Sequence, residues 1–323
     1  MKLSVVLTSY NYARYLPAAL QALAAQTRPA DELIVIDDGS TDDSVAIITS
    51  FLGRFAEARL VQNPRNLGTI ANLNRGLELA RGEVVYFAAA DDITYPRLFE
   101  RGTALLEEHP VAALFSARSD IIDTQGRIES TLATAIPLRY PGYIAPAAVA
   151  QILLQDDNWL TGNTTLYRRA PLIAAGGFAP ELGSFCDGYV SRLLAARCGA
   201  GFSPEVLGAW RRHAGGFAWS QTADFGRARQ LATVVERRMT ADAAFPPGYS
   251  RRWAGRHLFG ARRFVLIRRR EEACSRCVAA SLWARIYEVA MTLWLFIIYR
   301  PRDAVAVVRR RFSVWRHRAR DPR

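Results

Sequence analysis

The fold is constrained most by short apolar runs that lack the alternation of a half-buried strand. Residues 3–8 (LSVVLT), 33–36 (LIVI) and 83–88 (EVVYFA) are almost continuously apolar, and polar residues follow each run. Segments with helical periodicity and one further strand pattern lie between them: helices at about 13–26, 42–52 and 69–80, and a strand near 59–62. Strands that are apolar on both faces are typical of a parallel sheet covered by helices on both sides. The sequence therefore predicts an α/β domain with a mostly parallel, Rossmann-like central sheet.

Three of the predicted strands end in polar residues. Thr8 and Tyr10 end the first strand, Asp37 and Asp38 follow the second, and Asp91 with its neighbour Asp92 follows the strand at 83–88. Ligands of open α/β sheets bind outside the carboxyl ends of the strands. We therefore expect these side chains to converge on one binding site.

Part of the acidic loop after the second strand has a simpler explanation. Ser40, Asp42 and Asp43 stand where they could cap the following helix and complement its dipole. We interpret these three residues as capping residues. Asp37 and Asp38 remain unexplained by capping and stay candidates for ligand binding.

Asp91 and Asp92 predict a divalent cation site. Mg²⁺ and Mn²⁺ accept oxygen ligands and often bind one or two protein carboxylates together with substrate phosphate oxygens. A cation held in this way neutralises the charge of a diphosphate. The alternative is that the two acids cap a helix beginning near Tyr95 or Pro96.

Asp187 is the candidate general base. It lies at the start of a helix predicted to run to Cys198 and to end at Gly199. A carboxylate at that position could take a proton from a hydroxyl group, although an N-cap role competes with this interpretation. Glu181 and Glu205 are second choices with weaker sequence context.

The charge and cysteine content restrict the class of protein. The net charge is +12, and the excess of arginine falls after residue 211. No helix-turn-helix, zinc-finger or aromatic RNA-binding signature accompanies it, so a nucleic-acid partner is not expected. Four cysteines in 323 residues do not form a disulfide framework, and the first residues lack a signal-peptide pattern, which favours the cytoplasm. Cys274 and Cys277 have the spacing of half a zinc site, but no second pair accompanies them.

The sequence divides into a domain at 1–217 and a basic, helical C-terminal region at 218–323. The most apolar stretch of the region, 286–299, is 14 residues long and contains Glu288, whereas a spanning helix needs about 20 apolar residues. Two alternatives remain for these helices. They lie at the surface of an anionic membrane, or they pack on the first domain with a solvated basic face.

Over about residues 1–215, the chain resembles family 2 inverting glycosyltransferases. The resemblance is carried by four segments in order: SVVLTSYNYARYL, DELIVIDDGSTDDS, NLGTIANLNRGLELARGEVVYFAAADDITYP and GGFAPELGSFCDGYVSRLLAARCG. It implies a GT-A fold, a nucleotide-sugar donor of which UDP- and dTDP-sugars are favoured, and Mg²⁺ or Mn²⁺ as cofactor. It also implies transfer to a hydroxyl of a glycan or a lipid-linked acceptor, in cell-surface polysaccharide or glycolipid assembly.

The resemblance also assigns roles to the residues at the strand ends. Thr8 and Tyr10 are expected to line the nucleotide site, and Asp38 is expected to accept a hydrogen bond from the base. Asp92 is expected to hold the metal against the diphosphate, with Asp91 nearer the ribose or the donor sugar.

The resemblance places Asp187 as the base and His213 at the metal or the pyrophosphate. Two positions depart from the family pattern. Ala89 stands where many members have the first acid of an Asp-x-Asp motif, and Cys186 stands where an acid often precedes the base. The first departure shifts the metal prediction onto Asp92.

Two other classes of protein are alternatives to a glycosyltransferase. A catalytically inactive nucleotide-sugar-binding or scaffold protein of the same fold is compatible with Ala89. A nucleotidyltransferase shares a related architecture but requires a glycine-rich, arginine-containing loop after the first strand, and TSYNYARYL does not provide one.

Overall fold

The computed structural model describes residues 1–213, 216–217 and 224–259. Within these residues the chain forms two compact units. The first contains 1–213, 216–217 and 241–247, and the second contains 224–240 and 248–259. Within the basic C-terminal region the sequence predicts helices at 274–299 and 301–318. These two segments and the pair Cys274 and Cys277 lie outside the described residues. The predicted boundary at 217/218 stays a prediction.

The helices of the described chain are α1 (Leu16–Ala24), α2 (Ser44–Leu52), α3 (Thr69–Leu79), α4 (Leu98–Glu108), α5 (Pro146–Gln155), α6 (Arg169–Ala174), α7 (Cys186–Cys198) and α8 (Phe225–Ala241). Two short 3₁₀ helices, Gly162–Thr164 and Pro180–Phe185, flank α6. Residues 249–259 are also helical. No helix within the described ranges is both long and apolar enough to span a bilayer.

The strands of the described chain are β1 (Leu3–Ser9), β2 (Glu32–Asp37), β3 (Ala58–Gln62), β4 (Val84–Ala89), β5 (Ile93–Thr94), β6 (Leu114–Ile122), β7 (Ile128–Thr131), β8 (Gly142–Ile144), β9 (Leu166–Arg168) and β10 (Ala200–Arg211). They form one sheet in the order β3-β2-β1-β4-β9-β6-β10-β5, with β7 on β6 and β8 on β10. The predicted α/β class is confirmed.

The parallel half of the sheet matches the apolar runs of the sequence. β1 pairs in parallel with both β2 and β4, and β2 pairs in parallel with β3. Every residue of β2 is buried, because helices cover both faces. The short β9 is antiparallel to β4 and β6, so the sheet is mixed at its centre.

Three element boundaries differ from the sequence prediction. The sequence pattern also predicts strands near 111–117 and 202–207. The first is β6, which starts later and runs to Ile122, and the second is β10, which extends to Arg211. β10 continues because it pairs with β6 through Arg211. This extension brings Arg211 to the same end of the sheet as Asp91. The helix expected near Tyr95 begins at Leu98, so neither Asp91 nor Asp92 caps it.

A close approach between α3 and β1 fixes the helix on the sheet. Gly76 faces Val6, and a Cβ at Gly76 would overlap the Val6 side chain. The absence of a side chain lets α3 lie directly on the central strand. The N-terminal residues of α3, Thr69 and Asn72, thereby reach the carboxyl end of the sheet.

The three residues predicted to cap α2 differ in their contacts. Asp43 occupies the N-cap position, as predicted, and makes no capping hydrogen bond. Asp42 accepts from the amide of Ser44, the first residue of α2, and from the Ala13 amide at 3.0 Å. The Ser40 hydroxyl accepts a hydrogen bond from the Asn11 amide at 2.9 Å, so the capping interpretation is wrong for Ser40. The side chains of Ser40 and Asp42 join the loop after β1 to the loop after β2.

Candidate active site

A cleft of about 440 Å³ opens at the carboxyl ends of the parallel strands. The residues that the sequence singled out for nucleotide, metal and base roles all line it: Thr8, Tyr10, Asp38, Asp91, Asp92, Asp187 and His213. The structure thus brings together residues from five separate parts of the chain. Their geometry divides into three groups, around Asp38, around Asp91 and around Asp187.

Asp38 is a buried carboxylate that anchors the loop leading into α3. Its oxygens accept hydrogen bonds from the amides of Leu67 at 2.8 Å and Gly68 at 2.9 Å, and from the Asn63 side chain at 2.7 Å. Asn63 also donates to the Asn72 side chain of α3 at 2.7 Å. Burial acts to raise the pKa of Asp38, but these hydrogen bonds outweigh it and hold the pKa below the ordinary value. Asp38 is therefore ionised and organises one wall of the cleft.

We expect the substitution Asp38→Asn to destabilise the protein in a pH-dependent way. An asparagine cannot accept from both backbone amides and Asn63 as a carboxylate does, and hydrogen bonds to charged groups contribute about 1.5–3 kcal/mol. Because the folded-state pKa is depressed, the contribution is present above the ordinary value of about 3.9 and is lost as the pH falls through the folded-state pKa. Urea unfolding at pH 7 and at a series of values down to pH 3 measures it.

Asp43→Asn is the matched control for this substitution, because Asp43 is exposed and its side chain makes no capping bond. The free energy of unfolding of the control should match that of the wild type at every pH. A loss for Asp38→Asn that is the same at pH 3 and pH 7 would contradict the role given to the ionised carboxylate.

Asp91 and His213 form a contact pair in the cleft. The Asp91 Oδ2 and His213 Nε2 atoms are 2.7 Å apart. The rings of Tyr12 and Tyr15 lie against the His213 ring, with centroids 5.9 and 5.4 Å away. Burial and the negative charges of Asp91 and Asp92 raise the pKa of Tyr12, so its hydroxyl stays protonated and hydrogen-bonds Asp91. The loop after β1 therefore fixes the orientation of the pair.

Asp92 has a different environment from Asp91. Its Oδ1 accepts a hydrogen bond from the backbone amide of Arg211 at 2.8 Å. Burial and then the charge of Asp91 raise the pKa of Asp92 well above the ordinary range, and Arg211 opposes this effect. The Arg211 guanidinium donates to the backbone oxygen of Asp91 at 2.7 Å and lies over the Tyr15 ring at 4.8 Å. His213 thus contacts Asp91, whereas Asp92, with which it was predicted to share a metal, accepts from the Arg211 amide.

The atoms of the Asp91 and His213 pair fit a divalent cation that is completed by a ligand. One carboxylate oxygen and one imidazole nitrogen face each other in the cleft. The described residues contain no group of three histidine, cysteine or acidic side chains that could enclose a metal. A site with few protein ligands is characteristic of Mg²⁺ or Mn²⁺ bound together with phosphate oxygens and water. Ala89 lines the cleft at the end of β4, and its side chain has no atom that could bind a metal.

Asp187 lies in the first turn of α7, one residue inside the helix. The N-cap residue is Phe185, so the competing N-cap interpretation of Asp187 is wrong. Its Oδ1 accepts from the Gly188 amide at 2.7 Å, and a Cβ built on Gly162 would be 2.6 Å from its Oδ2. Burial raises the pKa of Asp187, opposed by the Gly188 amide and by the charge of Arg192. A carboxylate held in this way is a stronger base than an exposed aspartate.

The other candidate bases lie away from the cleft. Glu181 is exposed, and Glu205 pairs with Arg101 at 3.2 Å. Neither residue lines the cavity. Cys186, which precedes Asp187, is buried, and burial raises the pKa of its thiol, so it contributes no charge near the base.

Sequence reasoning missed several residues that shape the site. Asn63 and Asn72 hold Asp38, Tyr12 holds Asp91, and Gly162 leaves room for Asp187. The signals in the sequence were weak: Asn63 immediately follows β3, as the other polar groups follow their strands, and Tyr12 stands in SYNYARYL. Nothing in the sequence distinguished Gly162 from the other 21 glycines.

The mixed sheet and the cleft at its carboxyl end define the architecture of GT-A glycosyltransferases. Residues 4–173 match the family model described as Glycosyl transferase family 2. This match covers more than half of the 323 residues. The chain belongs to glycosyl transferase family 2.

Curated relatives agree with this family. The chain is 33% identical over 175 residues to an uncharacterized glycosyltransferase of Nostoc sp., covering 53% of this chain and 52% of the relative. It is 34% identical over 107 residues to a PGL/p-HBAD biosynthesis glycosyltransferase of Mycobacterium bovis, covering 33% and 42% of the two chains. An uncharacterized protein of Mycobacterium tuberculosis is 30% identical over 217 residues, 65% of this chain and 67% of the relative. The chain thus spans about half the length of the Nostoc relative.

Solved structures have a similar fold. TarS 1-349 of S. aureus, solved in complex with UDP-GlcNAc, has a TM-score of 0.61 at 20% identity and covers 94% of this chain and 82% of its own. The mannosyltransferase PcManGT of Pyrobaculum calidifontis, solved with GDP-Man and Mn²⁺, has a TM-score of 0.60 at 20% identity and covers 93% and 82%. These similarities establish the GT-A fold.

Proposed function

We propose that this chain is an inverting glycosyltransferase that moves a sugar from a nucleoside diphosphate donor to a hydroxyl acceptor in bacterial glycan or glycolipid assembly. One observation supports the proposal above the others. A single cleft holds the Asp91 and His213 pair, which suits a cation and a diphosphate, and the partly buried carboxylate of Asp187, which suits proton removal. Family membership and the mycobacterial relative named for PGL/p-HBAD biosynthesis support the same class of reaction.

The nucleotide is assigned to the end of the cleft formed by β1, β2 and α3. Thr8, Tyr10 and Asp38 line that end together with Asn72. The Asp38 carboxylate is ionised and lines the cleft, so we assign it as the acceptor for an N–H of the base. We favour UDP- or dTDP-sugars, and the structures of TarS with UDP-GlcNAc and of PcManGT with GDP-Man support a nucleotide-sugar donor.

Asp91 and His213 are assigned to the Mg²⁺ or Mn²⁺ ion, which when bound neutralises charge that develops on the departing diphosphate. This differs from the sequence interpretation, in which Asp92 was the ligand. Asp92 instead orients the end of β10 through the Arg211 amide, and Arg211 holds the Asp91 backbone. Asp92 and Arg211 thus help to position the Asp91 and His213 pair.

Asp187 is assigned as the general base. Its carboxylate takes the proton of the acceptor hydroxyl as that oxygen attacks the anomeric carbon, and the bond from that carbon to the diphosphate breaks. Because burial raises the pKa of Asp187, the carboxylate is a better proton acceptor than an exposed one. The acceptor hydroxyl is therefore expected next to Gly162, whose backbone lies against this carboxylate.

Our proposals for the acceptor and for the location of the enzyme rest on the sequence and on its family resemblance. We propose a glycan or lipid-linked acceptor, with the enzyme in the cytoplasm and its basic C-terminal region at the inner face of the cytoplasmic membrane. The arginine-rich composition after residue 211 and the apolar stretch at 286–299 support a peripheral contact with anionic lipid.

Incubation with a panel of nucleotide sugars tests the proposal. Thermal shift with and without Mn²⁺ should show stabilisation by one class of nucleotide, larger with the metal, because a ligand that binds the folded state stabilises it. The same donor should then be hydrolysed or transferred at a measurable rate. Binding without turnover across all donors would instead favour the catalytically inactive nucleotide-sugar-binding protein that Ala89 allows.

A further inference from the structure

Arg192 occupies an unusual position for an arginine on a helix. Its side chain is 7% exposed, and it pairs with the 3% exposed side chain of Asp157 through Nε and Oδ2 at 3.3 Å. Its Nη2 also donates to the backbone oxygen of Asp157 at 3.0 Å. Burying two charges costs several kcal/mol per ion unless the geometry compensates. The hydrogen bonds that Arg192 makes with the backbone supply part of this compensation.

The Arg192 side chain folds back along α7 towards Asp187. Its Nη1 donates to the Gly188 backbone oxygen at 2.9 Å, while the Gly188 amide donates to Asp187 Oδ1 at 2.7 Å. The backbone of Gly188 therefore links the Arg192 guanidinium to the Asp187 carboxylate. A Cβ at Gly188 would be 3.3 Å from Arg192 Nη1, so the glycine leaves room for the guanidinium.

The partner, Asp157, begins the loop that faces Asp187 from the other side. Residues 158 and 160–163 line the cleft, and a Cβ on Gly162 would be 2.6 Å from the Asp187 Oδ2 atom. The far end of the loop is held to β6, where the Thr161 amide donates to the Ser116 hydroxyl at 3.1 Å. Arg192 holds the near end. The loop and the carboxylate are thus fixed to each other through one side chain.

We propose that Arg192 is a positioning residue for the proposed general base: by binding Asp157 and the Gly188 carbonyl it fixes the loop at 157–163 against Asp187. The proposal rests on the proposed function only in calling Asp187 the base. The contacts of Arg192 are the same whatever reaction the protein performs.

Few charged groups face Asp187 in the described part of the chain, so the effect of the Arg192 charge on the titration of Asp187 can be measured. The groups that face Asp187 are Arg192 and the Cys186 thiol on α7, and the Tyr167 hydroxyl on β9. Burial raises the pKa of both Cys186 and Tyr167, so both are neutral. Asp157 neutralises part of the Arg192 charge. Removing the cation and removing its partner should therefore move the titration of Asp187 in opposite directions.

The test is the carboxyl ¹³C NMR titration of the full chain labelled at aspartate, with the Asp187 signal assigned by its loss in Asp187→Asn. Arg192→Met should move the midpoint up by roughly one pH unit, since a nearby opposite charge typically lowers a carboxyl pKa by 1–3 units. Asp157→Asn should move it down, because Arg192 then acts on Asp187 without its counter-charge. Arg197 is an exposed arginine on the same helix, α7, and pairs with Asp242. Arg197→Met should leave the midpoint of the Asp187 titration unchanged.

Arg192→Met leaves Asp157 buried without its partner and could prevent folding. The double variant Arg192→Met/Asp157→Asn removes both charges and should still raise the midpoint. Shifts in the same direction for the double variant and Asp157→Asn, or no shift in either, would overturn the proposal. The NMR readout needs no donor, so a failed transferase assay with the expected shifts would reject the proposed function and leave the role of Arg192 intact.

Discussion

Asp187→Asn is expected to lower the rate of sugar transfer by about 10²–10⁴-fold, the usual loss when general-base help is removed. Asparagine keeps the size of the side chain and can still accept from the Gly188 amide, so the start of α7 should keep its conformation. It cannot take a proton from a hydroxyl group. Steady-state assays with the donor found by the nucleotide-sugar panel measure the effect on kcat.

Donor binding separates this effect from a structural one. Asp187 lies at the α7 side of the cleft and the nucleotide is assigned to the end formed by β1, β2 and α3, so the dissociation constant of the donor should change little. Glu181→Gln is the matched control, because Glu181 was a candidate base from sequence but does not line the cleft. Near-normal transfer by Asp187→Asn would reject the assignment, as would an equal loss in the control.

The pH dependence of the wild type gives an independent check on Asp187. Transfer requires the carboxylate, so kcat should fall as the pH drops through the pKa of Asp187 in the enzyme–substrate complex. Because burial raises that pKa, the fall should occur at a higher pH than the value of about 3.9 expected for an exposed aspartate. The acid limb should be absent from the residual activity of Asp187→Asn.

The sequence was sufficient to predict the parallel core of the fold. Apolar runs without alternation identify strands covered on both faces, and polar residues after them identify the binding edge. The antiparallel β9 was not predicted as a strand, because its three residues are too few to show a period of two. The full length of β10 was missed for a related reason, since Trp210 and Arg211 belong to a strand only through pairing with β6.

The candidate site shows the same limit at the level of single residues. Sequence position placed Asp91 and Asp92 together but could not show which of the two side chains contacts His213. That choice depends on where β10 ends, because its last residue, Arg211, donates its amide to Asp92 and its guanidinium to the Asp91 backbone. The capping role expected for Ser40 failed similarly, since its partner, Asn11, is remote in sequence.

Asp91→Asn is expected to remove most of the metal-dependent binding of a nucleoside diphosphate, whereas Asp92→Asn should retain it. The Asp91 Oδ2 faces His213 Nε2 at 2.7 Å, and an amide is a much weaker ligand for Mg²⁺ or Mn²⁺ than a carboxylate. Asp92 accepts a backbone amide, which asparagine can also do. Calorimetric titration of UDP in the presence and absence of Mn²⁺ measures the metal-dependent part of the affinity for each variant.

Comparing Asp91→Asn with Asp92→Asn shows which of the two aspartates binds the metal. With Asp91 and His213 as the protein ligands, His213→Gln should resemble Asp91→Asn, and both should lower transfer by about 10²–10³-fold, because a cation contributes several kcal/mol to stabilising charge in the transition state. If Asp92→Asn loses the Mn²⁺-dependent affinity while Asp91→Asn keeps it, Asp92 is the ligand, as the sequence alone had indicated. In that case the Asp91 and His213 contact would be an internal ion pair that has to open before the metal and diphosphate bind.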